Sequence, residues 1–430
     1  MRARFDPTGP LRGSLRPPAD KSVSHRAALI AAMADGTTTV TGYLDAADTR
    51  STLTAISALG ARVDGAPATE IAAEIRIEGV GMRGPRPAEV DVGNAGTLLR
   101  LLPGWLAGQE TGIWTLDGDA SIRRRPVDRI AEPLRRMGAR IECREESLPP
   151  LRVEGAPLRG ISYEMPVASA QVKSCLLFAG LLAEGETRVI EPHPSRDHSE
   201  RMLTAAGAEV ERDGDAVLVR PAGRLEPGRI VVPADFSSAA FFIVAATIVA
   251  GSEVTLEGVG LNPTRTGLLG ILDRMGADLE VSEEGERGGE PAGRITVRSA
   301  ALRGAEVGGA EVPLAIDELP LVALAACFAE GETTIRDATE LRRKESDRVE
   351  TVSEALRSLG AEVEASPDGM RILGGGLRGG AIDSHGDHRI SMLGAVAGVA
   401  SREGVEVVGM EAAAVSYPGF EADLATLVGG

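Results

Sequence analysis

Polar and charged residues stand directly before several apolar, helix-like segments, and their types suit the binding of anions. These short stretches are Asp-Lys-Ser-Val-Ser-His-Arg at 20–26, Gly-Asn-Ala-Gly-Thr at 93–97, Ala-Ser-Ala-Gln at 168–171, Ile-Asp-Glu at 316–318 and His-Gly-Asp-His-Arg at 385–389. The N-terminus of a helix has free N–H groups and a partial positive charge, so phosphates and carboxylates bind there. One polar helix start is typical of ordinary capping. Five in equivalent positions indicate a site for anionic ligands with acid–base groups beside it.

Two further charged segments lie outside these helix starts. Arg123–Pro126 contains three consecutive arginines, which favours either a solvated basic patch or an anion site. The segment 341–348 brings Lys344, Glu345 and Arg348 together ahead of an amphipathic helix. Such a run is also compatible with simple charge pairs along a helix. Crowding of both signs at a helix start shifts pKa values, however, and this suits general acid–base catalysis.

The sequence contains no pattern typical of a metal or organic cofactor. Glycine-rich 374–380 lacks the Gly-Lys-Ser/Thr ending of a phosphate-binding loop, and no nucleotide fingerprint or Gly-x-Ser-x-Gly elbow is present. His385, Asp387 and His388 match no common zinc spacing. We therefore predict no metal and no cofactor.

The polar segments belong to an α/β unit that recurs six times. Each copy is a polar turn, an apolar helix rich in small residues, a break and a short β-type run, and the apolar residues are dense enough to predict helices buried on all sides. The copies begin at Ser24, Gly96, Gln171, Ser237, Asp317 and Arg389. Amphipathic helices alternate with them, each ending at a glycine placed for a left-handed C-cap. These glycines are Gly60, Gly138, Gly207, Gly276 and Gly360.

Six units of this size predict two globular lobes of three units each. The pattern breaks near Pro233–Asp235, so we assign residues 1–20 and 235–430 to lobe 1 and residues 21–234 to lobe 2. Each lobe is predicted to be α/β, with buried helices under mixed sheets, and the active site is expected in the cleft between the lobes. The glycine-rich stretch around 285–293 is expected to be a surface loop.

The composition excludes several classes of protein. The 430 residues are 43% hydrophobic and 25% charged, which excludes a disordered or fibrous chain. A net charge of −17 argues against a nucleic-acid binder. The three scattered cysteines favour buried thiols at Cys175 and Cys327 over disulfides. Because no signal peptide is recognisable and the longest apolar run, 239–250, is short, we predict a soluble cytoplasmic protein.

Lysine is nearly absent from the basic residues. Among 46 lysines and arginines, only Lys21, Lys173 and Lys344 are lysine. With 53 glycines and 25 prolines, this indicates a GC-rich coding bias that replaces lysine wherever a generic positive charge suffices. We hypothesise that the remaining lysines do what arginine cannot, because only lysine offers a compact, titratable ammonium.

Taken in order, seven motifs resemble those of the 5-enolpyruvylshikimate-3-phosphate synthase family, in the form often called class II in bacteria. They lie at 20–26, 93–97, 124–126, 169–171, 316–318, 343–348 and 387–389, and the resemblance spans residues 10–420. It implies two lobes, each with three βαβαββ units. It also implies transfer of the enolpyruvyl group of phosphoenolpyruvate to the 5-hydroxyl of shikimate 3-phosphate, in the shikimate pathway of aromatic amino-acid biosynthesis. Phosphate is released through a tetrahedral intermediate.

The resemblance also implies roles for individual residues. The catalytic residues would be Lys21, Asp317 and Glu345. Shikimate 3-phosphate would contact Lys21, Ser22, Arg26, Ser169, Ala170, Gln171, Ser195, Asp317 and Lys344. Phosphoenolpyruvate would contact Lys21, Asn94, Gly96, Arg125, Gln171, Arg348 and Arg389. Ala170 departs from a frequent second serine and Val415 from a lysine that some members carry. Gly96 is the position that glyphosate-insensitive members often change to alanine, so we expect inhibition by glyphosate.

Other functions remain open from the sequence. A sister transferase acting on UDP-N-acetylglucosamine shares the fold but carries a reactive cysteine in the loop corresponding to 113–124, where this chain has none. RNA 3′-phosphate cyclases share the repeat, but an RNA-facing surface conflicts with the net charge of −17. A catalytically silent scaffold for phosphorylated partners would lack acid–base residues. We expect a monomer that acts on small molecules, without nucleic acid or membrane.

Overall fold

The chain forms two compact units in a computed structural model that describes residues 1–65 and 73–429. Unit 1 consists of Met1–Pro18, Ala234–Gly285 and Pro291–Gly430. Unit 2 consists of Ala19–Pro233 and Glu286–Glu290. Residues 66–72 of the predicted lobe 2 and residue 430 of the predicted lobe 1 lie outside the described residues.

The helices follow the predicted alternation of apolar and amphipathic segments. In chain order they are α1 (Lys21–Met33), α2 (Ala47–Ala58), α3 (Gly96–Ala107), α4 (Asp128–Arg136), α5 (Ala170–Gly180), α6 (His198–Ala205), α7 (Phe236–Ile248), α8 (Gly267–Met275), α9 (Val312–Ala315), α10 (Leu319–Ala326), α11 (Arg348–Ser358), α12 (His388–Ala400) and α13 (Phe420–Val428). The six predicted apolar helices are therefore α1, α3, α5, α7, α10 and α12. Nearly every residue in them is buried, which confirms that prediction.

The strands are short and lie between the helices. In unit 2 and its neighbouring segments they are β1 (Arg2–Phe5), β2 (Arg12–Leu15), β3 (Thr37–Thr41), β4 (Arg62–Asp64), β5 (Glu74–Glu78), β6 (Glu89–Asp91), β7 (Ile113–Asp117), β8 (Arg140–Arg144), β9 (Leu148–Glu154), β10 (Ser162–Glu164), β11 (Thr187–Ile190), β12 (Val210–Asp213), β13 (Ala216–Val219) and β14 (Arg229–Val231). The remaining strands are β15 (Glu253–Gly260), β16 (Asp278–Arg287), β17 (Glu290–Arg298), β18 (Glu306–Val307), β19 (Glu332–Ile335), β20 (Glu362–Ser366), β21 (Gly369–Leu373), β22 (Gly380–Asp383) and β23 (Val405–Val408). Although they precede unit 2 in the chain, β1 and β2 belong to unit 1.

One strand order recurs in the sheets, as the sequence repeat predicts. The described residues of unit 2 contain β14-β3-β5-β4, β6-β7-β9-β8 and β10-β11-β13-β12, and those of unit 1 contain β2-β15-β17-β16, β18-β19-β21-β20 and β22-β23-β1. In each sheet the first two strands run parallel and the third is antiparallel to the second. The predicted α/β class, with six repeated units and mixed sheets, is confirmed.

Each unit has its own hydrophobic core around its apolar helices. In unit 2, α3 packs closely on α5 at Gly104, where an added Cβ would lie 2.1 Å from the Cys175 carbonyl oxygen. Only glycine allows this approach of the two backbones. Cys175 and Cys327 are fully buried, as predicted, and burial raises the pKa of the Cys327 thiol to about 12.

The predicted left-handed glycines are confirmed, but one predicted loop is wrong. Gly60, Gly138, Gly207, Gly276 and Gly360 all have positive φ values, between 92° and 108°. The stretch 285–293 is not a loop: β16 continues to Arg287 and β17 begins at Glu290. Gly288 and Gly289 make the turn with φ of 61° and 83°, so their presence signals a tight reversal between strands rather than irregular chain.

Candidate functional site

Lys21 is the first residue of α1, and its ammonium lies beside a carboxylate. Asp20 caps this helix, since its Oδ1 accepts a hydrogen bond of 2.8 Å from the Val23 N–H. Lys21 Nζ lies 3.2 Å from Asp48 Oδ2, with the two side chains 20% and 7% exposed. The helix start therefore places a partly accessible ammonium beside a carboxylate and the N–H groups of the first turn.

Arg26 is buried one turn further along α1, among neutral oxygen atoms. Its guanidinium donates to Ser199 Oγ at 2.8 Å, to Ser174 Oγ at 2.9 Å and to the Ser22 carbonyl at 3.0 Å. Burial lowers the pKa of Arg26 to about 10, although more distant carboxylates led by Glu200 oppose the shift. A buried cation whose hydrogen-bond partners are neutral is suited to an anionic ligand.

Asn94, Gly96 and Arg125 come together at the start of α3. Arg125 Nη2 donates to Asn94 Oδ1 at 3.0 Å, while Asn94 Nδ2 donates to Asp119 Oδ2 at 2.6 Å. A Cβ on Gly96 would lie 2.6 Å from Arg125 Nη1. Asn94 therefore orients the guanidinium over the helix start, and glycine at 96 leaves room for it.

The start of α5 carries the predicted residues 169–171. Ser169 is the N-cap, and its Oγ accepts a long bond of 3.4 Å from the Val172 N–H, so its own O–H remains a donor. Gln171 points to α3, where its Oε1 accepts from Arg100 Nη1 at 2.9 Å and its Nε2 donates to Thr97 Oγ1 at 3.3 Å. Ala170, which begins the helix, offers only its backbone.

Ser195 lies in a buried cluster with Glu191 and Lys173. It is 4% exposed, and its hydroxyl donates to Glu191 Oε1. The Ser195 N–H also donates to this carboxylate oxygen, at 3.2 Å. In this structure the Ser195 hydroxyl proton is directed toward protein rather than toward open space.

In unit 1, Asp317 is surrounded by three cations. Its Oδ1 lies 3.2 Å from Arg348 Nη1 and 3.4 Å from Lys344 Nζ, and its Oδ2 lies 3.7 Å from Arg389 Nη2. The Asp317 side chain is 13% exposed. Three cationic side chains thus hold this carboxylate in place.

Arg348 organises the carboxylates of the same cluster. Besides Asp317, it contacts Glu345 Oε2 at 2.7 Å and Asp387 Oδ2 at 2.9 Å. Burial alone would lower the pKa of Arg348, but the surrounding carboxylates, led by Asp387, raise it above its ordinary value. Burial of Asp387 is likewise outweighed by Arg348, which lowers the pKa of this carboxyl. The predicted residues Asp317, Lys344, Glu345, Arg348 and Arg389 thus form one group.

Several supporting residues were not predicted from the sequence. Asp48, which contacts Lys21, lies 27 positions away with no recognisable pattern. Glu191 carries no motif either. Arg100, by contrast, lies one helical turn after Gly96 on α3, and helical spacing would have placed it near that glycine. Long-range partners require the fold, whereas partners on the same helix can be read from the sequence.

The described residues carry no sign of a metal centre or of a membrane span. Within 1–65 and 73–429, no three or more His, Cys, Asp or Glu side chains are grouped so that they could hold a metal ion. Every described helix is too short or too polar to cross a membrane.

Comparison with known proteins gives consistent matches. The model of the family described as EPSP synthase (3-phosphoshikimate 1-carboxyvinyltransferase) matches residues 5–424. A 3-phosphoshikimate 1-carboxyvinyltransferase from Thermus thermophilus is 52% identical over 99% of this chain and 98% of its own. One from Methylococcus capsulatus is 50% identical over 96% of this chain and 94% of its own.

Solved structures agree with these matches. An EPSP synthase from Acinetobacter baumannii superimposes with a TM-score of 0.86 at 44% identity, covering 98% of this chain and 97% of that one. The enolpyruvyl transferase NikO from Streptomyces tendae superimposes with a TM-score of 0.78 at 17% identity, covering 99% and 96%. At this low identity NikO shows a common fold only.

Proposed function

The chain belongs to the EPSP synthase family, and on that premise we propose how its residues divide the reaction between them. As an enzyme of this family, it transfers the enolpyruvyl group of phosphoenolpyruvate to the 5-hydroxyl of shikimate 3-phosphate and releases phosphate. Both substrates are multiply anionic. The cations and helix starts described above are the groups that would hold them.

Shikimate 3-phosphate binds mainly to unit 2 in this proposal. Arg26 offers a buried guanidinium among neutral oxygens, and Ser169 retains a hydroxyl donor at the start of α5. Further contacts come from Lys21, Ser22, Ala170, Gln171 and Ser195, with Asp317 and Lys344 from unit 1. The contribution of Ala170 is limited to its backbone, and that of Ser195 is shaped by Glu191.

Phosphoenolpyruvate binds to Arg125, Arg348 and Arg389 and to the start of α3. Arg125 is held over Gly96 by Asn94, so its planar guanidinium can meet a carboxylate or phosphate with two parallel hydrogen bonds. Lys21, Gln171, Arg348 and Arg389 complete the set. Because Arg348 already contacts three carboxylates, it would share its charge between them and the substrate.

The chemistry is an addition followed by an elimination. Asp317 takes the proton of the 5-hydroxyl of shikimate 3-phosphate as the hydroxyl oxygen bonds to C2 of phosphoenolpyruvate. Glu345 and Lys21 together deliver a proton to C3. From this tetrahedral intermediate, the C2–O bond to phosphate breaks and a C3 proton returns to the same group. The observation that carries this proposal is the grouping of Asp317 and Glu345 with Lys344 and Arg348, since carboxylates beside cations can exchange protons in both steps.

The alternative functions are not favoured. The sister transferase acting on UDP-N-acetylglucosamine would need a cysteine within 113–124, where none is present. A silent scaffold would not need the acid–base group of unit 1. We propose that the enzyme acts in the cytoplasm as a monomer, a setting in which its three free cysteines stay reduced.

A phosphate-release assay tests the function directly. With phosphoenolpyruvate and shikimate 3-phosphate together, the purified chain should release phosphate and form the enolpyruvyl product. Omission of either substrate should abolish release. Release without shikimate 3-phosphate, or none with both substrates, would overturn the assignment.

A further inference from the structure

Lys173, the lysine without an assigned role, lies fully buried on α5. Its Nζ lies 2.7 Å from Glu200 Oε1, 2.9 Å from Glu191 Oε2 and 3.2 Å from the carbonyl oxygen of Ser195. The exposed fraction of the Lys173 side chain is 0%, and so is that of Glu191. The ammonium thus donates hydrogen bonds to Glu191 and to the Ser195 carbonyl and forms an ion pair with Glu200, in a region without solvent.

This network leads from Lys173 to Ser195 by two routes. The first is the direct hydrogen bond to the Ser195 carbonyl. The second passes through Glu191, which binds Lys173 with Oε2 and accepts from both the N–H and the hydroxyl of Ser195 with Oε1. Removing the ammonium would therefore leave Glu191, which orients the Ser195 side chain, without its buried cation, and would release the Ser195 backbone as well.

The chemistry of this pocket explains why arginine does not replace this lysine. A compact ammonium can direct three donors to three separate oxygens, whereas the planar guanidinium fork is larger and favours two parallel bonds to one carboxylate. Burial raises the pKa of the Glu200 carboxyl, and Lys173 opposes that shift. Arg212 also contacts Glu191 Oε2, at 3.4 Å, but it lies at the rim with its side chain 41% exposed.

We propose that Lys173 is a positioning residue for shikimate 3-phosphate, which acts by fixing Ser195 and the turn before α6 against the start of α5. The inference rests on the proposed function, in which Ser195 and the residues 169–171 contact that substrate. Lys173 itself touches no substrate in this proposal. Its loss should weaken binding of shikimate 3-phosphate and leave binding of phosphoenolpyruvate unchanged.

The test compares two variants that leave the same charge around Glu191. In a Glu200→Gln background, Lys173→Met leaves Arg212 with Glu191, and Arg212→Met leaves Lys173 with Glu191. We expect Lys173→Met to raise the KM for shikimate 3-phosphate about tenfold, roughly the loss of one buried charge-assisted hydrogen bond. Arg212→Met should change it by less than about twofold, since surface ion pairs contribute little. The KM for phosphoenolpyruvate should stay constant in both.

A second arm separates positioning from general damage. Ser195→Ala removes the hydroxyl held by Glu191 but keeps the backbone carbonyl that accepts from Lys173. When it is added, Lys173→Met should therefore cause a smaller further rise in the KM for shikimate 3-phosphate than it does with Ser195 present. Equal effects of Lys173→Met and Arg212→Met, an undiminished effect without Ser195, or a matching rise for phosphoenolpyruvate would each overturn the proposal.

A third variant applies if the Lys173→Met protein does not fold. Glu191→Gln keeps an oxygen that can accept from Ser195 but loses the charge attraction to Lys173, so it should also raise the KM for shikimate 3-phosphate. An unchanged value would refute the inference. If the unmodified chain itself releases no phosphate with both substrates, the proposed function fails instead, and this outcome is distinct from every variant result.

Discussion

Two buried arginines, Arg26 in unit 2 and Arg348 in unit 1, show how differently the units use the same side chain. They are 3% and 1% exposed. Arg26 donates to two serine hydroxyls and a carbonyl, and burial lowers its pKa. Arg348 contacts three carboxylates, which raise its pKa in spite of burial.

The difference separates a binding cation from an organising one. The hydrogen-bond partners of Arg26 are neutral, and under the proposed function shikimate 3-phosphate would add an anionic partner. The charge of Arg348 is balanced within unit 1, where it holds Asp317, Glu345 and Asp387 at fixed positions. The same side chain therefore has neutral partners in unit 2 and carboxylate partners in unit 1.

The largest effect should follow from removing the proposed base of unit 1. Asp317→Asn keeps the shape but not the proton acceptor, so kcat should fall by about 10²–10⁴. Phosphate release at saturating substrates measures it. Asp273→Asn, which changes an exposed carboxylate on α8 of the same unit, should keep the original rate. A kcat for Asp317→Asn close to that control would remove Asp317 from its role.

Replacing each buried arginine by methionine tests whether the surroundings of Arg26 and Arg348 differ. Arg348→Met leaves three carboxylates without their shared cation, which should reduce the free energy of unfolding by about 3–5 kcal/mol. Arg26→Met leaves neutral groups, so the loss should be about 1–3 kcal/mol while the KM for shikimate 3-phosphate rises strongly. Urea denaturation provides both free energies. Equal losses would show that the environments of the two arginines do not differ in the way described.

A methyl group at Gly96 probes the phosphoenolpyruvate side of unit 2. Gly96→Ala would place a Cβ 2.6 Å from Arg125 Nη1, and this flexible side chain must move. We expect the KM for phosphoenolpyruvate to rise about tenfold, the effect of one weakened charge-assisted hydrogen bond, with little change for shikimate 3-phosphate. Inhibition by glyphosate should weaken as well. Gly270→Ala, where a Cβ meets nothing within 4 Å, is the control. A matching rise in both KM values would argue against this local effect.

The smallest expected effect is a loss of folding stability at acidic pH. His25 on α1 is fully buried, and burial lowers its pKa to about 3, with Asp48 opposing the shift and Lys21 and Arg26 adding to it. The unfolded chain therefore binds this proton below about pH 6.5 while the folded chain does not, so stability falls as the pH is lowered from about 6.5 toward 3. From pH 7.5 to 6.0 the loss should be about 1 kcal/mol.

Urea unfolding at these two pH values measures that loss, and His25→Gln should reduce it. Asp387 in unit 1 serves as the control for His25. The pKa of Asp387 is lowered, so its contribution to stability is complete above about pH 3.8 and is lost only in stronger acid. An Asp387→Asn variant should therefore keep the full loss between pH 7.5 and 6.0. The same loss in His25→Gln as in the unmodified chain would contradict the assignment.

The fold was largely predictable from the sequence because it repeats. Six apolar helices and the glycines after the amphipathic helices were placed within a few residues of their observed positions. The exception is 285–293, where the glycines predict a loop although strands continue to both sides of Gly288 and Gly289. The residues of β16 are mostly exposed and polar, so hydrophobic alternation does not reveal this strand.

The candidate site was predictable where residues adjoin in sequence. Lys344, Glu345 and Arg348 crowd together in both sequence and structure. The partners that hold the site, such as Asp48 beside Lys21 and Glu191 beside Lys173, come from other segments of the chain. Their side chains carry no motif, because any acid that reaches the right place satisfies the same electrostatic requirement.

The pairing of the N-terminal strands has a consequence for synthesis of the chain. In unit 1, β1 pairs with β23 and β2 pairs with β15, while Ala19–Pro233 of unit 2 is one continuous segment. At roughly 5–20 residues per second, β1 waits about 20–80 s on the ribosome before its partner strand is made. Through that interval its unpaired edge depends on chaperones or on its own arginines to avoid other chains.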